Sequence, residues 1–136
     1  MRRLPFPLVP RALRWLGVLA VLGVIGHFSL GAVPPAPPEP TPFWDKRLHF
    51  AAYAGLGLSL AYATVGADDA SRRVAVVLGG ALAFGALVEL LQGTLPNRYF
   101  GWGDLLANCL GAALSSLWFA VEPRLAYVRL PRRGRS

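Results

Sequence analysis

Residues 74–93 read VAVVLGGALAFGALVELLQG, and Glu89 is the only charged side chain among them. A helix that crosses a bilayer needs about 17–25 mostly apolar residues, so this stretch predicts a transmembrane helix. Three further apolar stretches, at residues 12–30, 48–65 and 105–121, predict three more spans. The alternating pattern of a transmembrane barrel strand is missing. The sequence therefore predicts an all-α fold, a polytopic membrane protein built as a four-transmembrane-helix bundle.

The overall composition supports this interpretation. Of the 136 residues, 54% are hydrophobic and 15% are charged, whereas soluble domains carry about 25% charged residues. The net charge of +7 comes largely from arginines that bracket the apolar segments. That pattern is typical of topology signals and not of a nucleic-acid-binding face. The single cysteine, Cys109, excludes an intramolecular disulfide. We therefore expect membrane lipids as partners, and no nucleic acid.

The distribution of Lys and Arg predicts the orientation. Most of them lie near the two termini and in the loop between spans two and three, and the other two loops hold only Lys46, Arg47 and Arg98. By the positive-inside rule, both termini of this multi-pass protein lie on the cytoplasmic side of the cell (plasma or inner) membrane. The predicted organisation is a basic N-terminus at 1–11, a membrane domain at 12–121 and a basic tail at 122–136. Asp68 and Asp69 are predicted to cap the third span.

A cleaved signal peptide is the alternative for the first span. It has a basic start and an apolar core, with small residues further on. Its apolar stretch exceeds the usual length of about 7–15 residues, and prolines crowd the candidate cleavage site. We therefore expect the first span to be retained.

Polar side chains collect at the outward-facing ends of spans two, three and four. Asp45, His49 and Tyr53 are spaced by four, so they share one face of the second span. Glu89 and Gln92, three apart, likewise share a face of span three, and Asp104 and Asn108, four apart, share a face of span four. Two cations, Lys46 and Arg98, lie at the same end. A carboxylate within the membrane needs a partner, and the candidates for Glu89 are Lys46, Arg98 and His49. We therefore predict one outward-facing polar pocket shared by three helices.

A purely structural network explains the same residues. Three acidic and three basic side chains at this end cancel in charge, as in a network that only joins helices. Asp104 has the position of an ordinary helix N-cap, and Asn108 could be interhelical glue worth about 0.6 kcal/mol. Two rows of small residues also favour close packing of spans two and four: Ala51, Gly55 and Ser59, and Ala107, Gly111 and Ser115.

The motifs WDKRLHFAAYAGLG and ALVELLQGTLPNRYFGWGDLLANCLGAALSS together resemble the VanZ-like membrane proteins. The resemblance covers residues 44–116 and falls on Asp45, Lys46, His49, Phe50, Tyr53, Glu89, Gln92, Arg98, Asp104, Asn108 and Gly111. It implies a membrane protein of the cell envelope. The founding member of the family accompanies glycopeptide resistance and lowers susceptibility to teicoplanin. Many relatives lie outside resistance clusters, so the resemblance does not by itself extend antibiotic resistance to this chain.

Binding or modification of an anionic lipid-linked molecule or cell-wall precursor is the first functional hypothesis. Lys46 and Arg98 would hold its phosphate or carboxylate, while Asp45, Tyr53, Gln92, Asp104 and Asn108 would complete the ligand-binding pocket. Aromatic side chains would surround the pocket at headgroup level, namely Phe43, Trp44, Tyr99, Phe100 and Trp102, or form a plain interfacial belt.

Three alternatives stay open. His49 and Glu89 are a candidate catalytic acid and base, although no accompanying nucleophile is evident. We predict no cofactor and no metal, but Asp45, His49, Glu89 and Asp104 are candidate ligands for a divalent cation. An assembly or scaffold protein with a structural network is the third. The sequence leaves the oligomeric state open.

Overall fold

The computed structural model describes residues 2–31, 37–39, 41–67 and 69–130. The helices are α1 (Arg11–Gly26), continued by a π-helical turn (His27–Gly31), α2 (Trp44–Ala63), α3 (Ala70–Gln92), α4 (Trp102–Ser115) and α5 (Trp118–Val121). A 3₁₀ turn (Glu122–Arg124) follows α5. Two short strands, β1 (Leu4–Leu8) and β2 (Leu125–Arg129), lie near the termini.

Three helical stretches are long and apolar enough to cross a membrane: Arg11–Gly31, Ala70–Gln92 and Trp102–Arg124. They match the first, third and fourth predicted spans to within a few residues. The second predicted span, at 48–65, is helical as α2 but is not one of these stretches. The reason is its polar first half, where Asp45, Lys46, Arg47 and His49 lie within the helix because α2 begins at Trp44.

The bundle has two ends, which the contacts between helices define. At one end, α2 and α4 begin and α1 and α3 finish, as shown by the contacts between His49 and Asn108 and between Gln92 and Ser29. We call this the distal end. At the other, the termini end, β1 and its partner β2 lie beside the last turn of α2. Because α2 contacts α1, α3 and α4, it occupies the centre of the bundle.

Helices α2 and α4 approach each other closely, as the small residues predict. A Cβ atom added to Gly111 would lie 2.2 Å from the Phe50 carbonyl oxygen, and one added to Gly57 would lie 1.9 Å from the Ser115 hydroxyl. The predicted row on α4 is buried. The predicted row on α2 was wrong, because Ala51 is exposed and Gly55 has open space around it. Tyr53 points inward, and the close contact with α4 is made at Ala54 and Gly57 instead.

The termini correct the all-α prediction. Strand β1 pairs with β2 in parallel, with Leu4 opposite Leu125. Because a parallel pair needs a long crossover, the whole helical bundle serves as the connection. Phe6 holds the pair against the bundle by edge-on contacts with Tyr62, Trp118 and Tyr127, at centroid distances of 5.5–6.0 Å. The first part of the predicted basic tail is therefore packed structure.

A partly buried ion pair joins α3 to the 3₁₀ turn before β2. The Arg73 guanidinium donates to both Glu122 carboxylate oxygens, at 2.7 and 3.0 Å, and also to the Ala61 carbonyl at 2.9 Å. The Tyr127 hydroxyl donates to Glu122 at 2.7 Å. Burial raises the pKa of Tyr127, and this hydrogen bond raises it further, so the hydroxyl remains a donor. We call Arg73, Glu122 and Tyr127 the termini clamp.

Helix α3 begins with the predicted cap. The Asp69 carboxylate accepts hydrogen bonds from the Ser71 and Arg72 backbone N–H groups, at 2.9 and 3.3 Å. It also accepts one from the Ser71 hydroxyl at 2.7 Å. The predicted capping role of Asp69 is therefore confirmed, and Asp68 lies outside the described residues. Arg73, one of the basic residues of the loop between spans two and three, is buried.

Candidate functional site

His49 is at the centre of a polar cluster at the distal end. It lies on the inward face of α2, where its Nδ1 is 3.0 Å from the Asn108 Oδ1 on α4 and 3.6 Å from the Glu89 Oε1 on α3. The atom of Asn108 that faces Nδ1 is its amide oxygen, an acceptor, so this hydrogen bond assigns the proton to Nδ1. In the neutral ring, the lone pair is then on Nε2.

The Nε2 side of His49 faces two carboxylates and an ammonium. Nε2 is 3.8 Å from the Asp104 Oδ1 and 3.9 Å from the Asp45 Oδ1. Lys46 donates a short hydrogen bond to Asp104 and a second one to Asp45, at 3.3 Å. The Lys46 and Asp45 side chains are 34% and 60% exposed, whereas Asp104 is 7% exposed. This is therefore the accessible side of the cluster.

Asp104 is not the helix N-cap that the sequence suggested. The cap residue of α4 is Gly101, and no side chain caps the helix. Asp104 is in the first turn, where a negative charge complements the helix dipole. Its carboxylate is therefore available to Lys46, and it joins the beginnings of α4 and α2.

Glu89 is fully buried near the end of α3. Its Oε2 accepts a hydrogen bond from the Gly101 backbone N–H at 3.2 Å. Of the three partners predicted for this carboxylate, His49 is the one within 4 Å among the described residues. Position 101 favours glycine, because a side chain there would collide with the Asp104 carboxylate while the backbone N–H binds Glu89.

Three buried polar atoms in the cluster have no hydrogen-bond partner among the described residues. They are the Tyr53 hydroxyl, the Glu89 Oε1 and the Asn108 Nδ2. Gly85 brings these side chains together, since a Cβ added there would lie 3.0 Å from the Tyr53 ring and 3.3 Å from the Asn108 Nδ2. Native proteins rarely leave such groups unpaired, because each one costs about 1–3 kcal/mol.

Gln92 and Arg98 lie apart from this cluster. The Gln92 Nε2 donates to the Ser29 carbonyl at 2.9 Å. The Arg98 Nη2 donates to the Phe28 and Gly31 carbonyls, at 3.2 and 3.3 Å. Both side chains thus bind the carbonyl end of the π-helical turn, where backbone acceptors need partners. The structure therefore brings seven of the nine predicted site residues together: Asp45, Lys46, His49, Tyr53, Glu89, Asp104 and Asn108.

Several aromatic side chains of the distal end are exposed. Phe43, Tyr99 and Trp102 are among the most exposed large hydrophobic residues described. Phe100 contacts Trp102 edge-on, with ring centroids 4.9 Å apart. Such amphipathic rings are typical of the level of lipid headgroups. The position of these rings suits either a belt or the entrance to a pocket.

Oxygen and nitrogen atoms of Asp45, His49 and Asp104 all lie within 4.8 Å of one another, a spacing that could hold a metal ion. Glu89, the fourth predicted ligand, is not a member of this group. The Lys46 ammonium already contacts both of these aspartates. Because Lys46 neutralises the carboxylates that would ligate a cation, the arrangement favours the protein's own ammonium at this position.

Comparisons of the chain with family models, curated proteins and solved structures gave no match. The VanZ-like resemblance therefore stays a prediction from the motifs alone. Sequence reasoning missed two glycines of the site, Gly85 and Gly101. Gly85 precedes Glu89 by four residues, so their shared helix face was a usable signal. Nothing in the sequence pairs the Gly101 backbone with Glu89.

Proposed function

We propose that this chain is a membrane protein that binds or modifies an anionic lipid-linked or cell-envelope molecule at the distal cluster. The unpartnered Tyr53, Glu89 and Asn108 atoms carry the proposal. A network that served only to join helices would be fully paired, because a half-satisfied buried network is worse than an apolar core. The unpaired groups therefore favour a site that receives polar atoms from another molecule.

Lys46 is the cation best situated to receive the anionic group. Its contact with Asp45 is exposed, and exposed ion pairs contribute only about 0–1 kcal/mol. An incoming phosphate could therefore replace Asp45 while the more buried Asp104 keeps Lys46 in position. Arg98 lies near the same end and, within the described residues, donates only through Nη2. Its remaining donors suit the rim of such a site.

A reaction at this site would use His49. The Asn108 Oδ1 accepts the Nδ1 proton at 3.0 Å, with the Glu89 carboxylate 3.6 Å away, and this leaves Nε2 as a general base on the accessible side. The described cluster contains no activated serine or cysteine. The nucleophile would therefore be a water molecule or a hydroxyl group of the ligand, whose proton Nε2 would accept.

The proposal includes four spans with both termini cytoplasmic. Helix α2 has 20 residues, or about 30 Å at about 1.5 Å per residue, which suffices to cross the hydrocarbon core. The described arginines also concentrate at the termini end, as the positive-inside rule expects. In a variant without Cys109, a cysteine at Thr41 should react with an impermeant maleimide added outside intact cells, and one at Ser71 should not. The reverse pattern would overturn the orientation.

The binding test uses the full chain in nanodiscs of phosphatidylcholine, with a polyprenyl phosphate as the probe and native mass spectrometry as the readout. Loss of one charge-assisted hydrogen bond should weaken retention of the probe about tenfold in Lys46→Gln. The matched control is Arg47→Gln, the neighbouring exposed cation that contacts Thr41 instead of the cluster. Equal retention by Lys46→Gln and the native chain would overturn the anion-binding role.

Catalysis requires its own comparison, between the two histidines of the chain. Turnover of envelope lipids by the purified protein should be abolished in His49→Gln and retained in His27→Gln. His27 is exposed at the end of α1 and lies outside the cluster. Probe binding without any turnover by the native chain would establish a binding protein and exclude the catalytic role of His49.

The contacts of Lys46 and Gln92 favour a second candidate, a structural or assembly protein. Lys46 and Asp104 neutralise each other, and Gln92 binds a neighbouring helix end. In that case, variants of the cluster would lower stability and leave probe binding unchanged. An ordered water molecule joining Tyr53, Glu89 and Asn108 in an experimental map would also favour it.

A further inference from the structure

A separate cavity of about 780 Å³ lies at the termini end, far along the helices from His49. The first turn of α1, the segment after α2 and the ends of both strands line it. Three of its lining residues are arginines: Arg11, Arg14 and Arg129. The distal cluster uses none of these residues, so this cavity needs its own explanation.

Positive charge dominates the cavity. None of its three arginines forms an ion pair within the part of the chain that the structure describes. The buried Arg14 Nε also has no hydrogen-bond partner there. Helix α1 begins at this point with no acidic residue in its first turn and no side-chain cap. The positive end of its dipole therefore adds to the arginine charges.

Arg14 is held rigidly in the cavity wall. Its Nη1 donates to the carbonyls of Tyr62, Ala63 and Val65, at 3.1, 3.3 and 2.9 Å. These bonds fix the guanidinium against the end of α2 before any ligand arrives. Arg11 and Arg129 are exposed, so they can adjust to an anion that Arg14 orients. A planar guanidinium in a fixed position suits the oxygen atoms of phosphate.

The size and lining of the cavity indicate more than a simple ion. Its volume is within the range of about 300–1,000 Å³ that is usual for small-molecule sites. Leu8, Trp15 and Leu130 contribute apolar surface beside the arginines. Arg11 also begins the first membrane-length helix, which puts the cavity at the level of an adjacent bilayer surface. Basic pockets beside membrane helices commonly hold anionic lipid headgroups.

We infer that this cavity binds the phosphodiester headgroup of an anionic phospholipid. Arg14 supplies the fixed contact, Arg11 and Arg129 close around the phosphate, and the apolar wall receives the glycerol and upper acyl portion. The lipid would join β2, α1 and the end of α2, and so would stabilise the termini end. This inference does not depend on the function of the distal cluster.

The test uses the full chain in phosphatidylcholine nanodiscs that contain increasing fractions of phosphatidylglycerol. Native mass spectrometry would measure how much phosphatidylglycerol the protein retains. Loss of two charge-assisted contacts in the double variant Arg11→Gln/Arg129→Gln should weaken retention at least about tenfold. This variant spares the Arg14 bonds to α2, and a circular dichroism spectrum equal to that of the native chain would confirm that it folds.

Two controls give the test its specificity. Arg72→Gln removes an exposed arginine from the same end that does not line the cavity, so retention should be unchanged. Equal losses in the two variants would mean diffuse surface attraction and would overturn the site. Inorganic phosphate at millimolar concentration should not displace the lipid. Full displacement by it would identify a free anion as the ligand and overturn the lipid assignment.

Discussion

The two ends of this bundle solve the problem of buried polar groups differently. At the termini end, Glu122 receives hydrogen bonds from Arg73 and Tyr127, and the two buried atoms described there without a partner, the Trp118 indole nitrogen and the Arg14 Nε, are outside the termini clamp. At the distal end, the Tyr53 hydroxyl, the Glu89 Oε1 and the Asn108 Nδ2 all lack partners within the described chain. The first network holds helices and strands together, whereas the second retains unused hydrogen-bonding capacity.

This difference supports a structural role for the termini clamp and the ligand-binding role proposed for the distal cluster. Both ends contain an acidic side chain that is at least partly buried and a cation within 4 Å of it. Charge alone would therefore treat them alike. The two ends differ in whether the polar groups around the acidic side chain are paired. This matters because unpaired buried groups lower stability unless a ligand or solvent pairs with them.

The largest expected effect concerns the termini clamp. Arg73→Ala would leave the partly buried Glu122 without its cation, so the free energy of unfolding should fall by up to about 3–5 kcal/mol, the loss expected for a fully buried pair. SDS titration in detergent micelles, followed by circular dichroism, would measure this change. Arg72→Ala is the matched control, since the Arg72 side chain is exposed and its removal should change the free energy by less than about 0.5 kcal/mol.

If the two arginine variants unfold alike, the clamp does not stabilise the termini end, and the contrast between a stabilising network there and the distal cluster is lost. Lys46→Gln gives the distal counterpart. Its ammonium is 34% exposed, so the remaining Asp104 carboxylate can be hydrated and a smaller loss than in Arg73→Ala is expected.

The second prediction concerns the close contact between α2 and α4 that supports the distal cluster. In Gly111→Ala, the added methyl group would meet the Phe50 backbone, which cannot move aside as a side chain could. Overpacking of this kind should lower the free energy of unfolding by about 1–3 kcal/mol. It should also separate His49 from Asn108 and so weaken binding of the polyprenyl phosphate probe.

Gly55→Ala is the matched control, because nothing lies within 4 Å of a Cβ added at Gly55. Alanine there should be neutral or stabilise the helix by about 0.5–1 kcal/mol. Both variants would be unfolded in the same detergent. A Gly111→Ala protein as stable as the control would show that α2 and α4 do not depend on this approach.

A pair of tyrosines tests the comparison between the ends directly. Tyr53→Phe removes a buried hydroxyl that lacks a partner, so the free energy of unfolding should rise by about 1 kcal/mol. Tyr127→Phe removes a hydroxyl that donates to Glu122, so the same quantity should fall by about 1 kcal/mol. If both variants are destabilised alike, the Tyr53 hydroxyl has a partner, and the contrast between the two ends fails at this residue.

The sequence predicted the helices and the membership of the distal cluster well. Long apolar stretches and the four-residue spacing of Asp45, His49 and Tyr53 are local signals. Lys/Arg bias also suggested that these polar groups meet at one end, and all nine lie at the distal end, where seven of them form the cluster. These features depend on short-range patterns and on the opposite directions of successive helices in a bundle.

The features that the sequence did not predict depend on partners distant in the chain or on backbone atoms. Arg73 pairs with Glu122, 49 positions away, and no periodic pattern links them. Arg98 and Gln92 bind backbone carbonyls, which every residue carries and no pattern marks. The pairing of β1 with β2 likewise requires the whole bundle between them. Such contacts follow only from the folded arrangement.

The smallest expected effect is at the exposed Asp69 cap of the termini end. The Ser71 hydroxyl, followed by the Arg72 and Ser71 backbone N–H groups, lowers the pKa of this carboxyl below its ordinary value. The ionised form is therefore favoured in the folded chain. Its stabilising contribution should be fully present above the pKa of an unfolded aspartate and lost as the pH falls through the lower folded value.

Amide hydrogen exchange of Ser71 and Arg72, followed as the pH is lowered, would measure the opening of this first turn after correction for intrinsic exchange. Asp69→Asn keeps a capping side chain but removes its titration, so the acid-dependent opening should disappear. Asp69→Ala should open the turn at every pH. An identical acid profile in the native chain and in Asp69→Asn would mean that Asp69 does not control the turn, although it receives three hydrogen bonds there. In that case, a carboxylate with all its hydrogen bonds made would not stabilise the structure around it, and the comparison between the two ends, which assumes that it does, would fail.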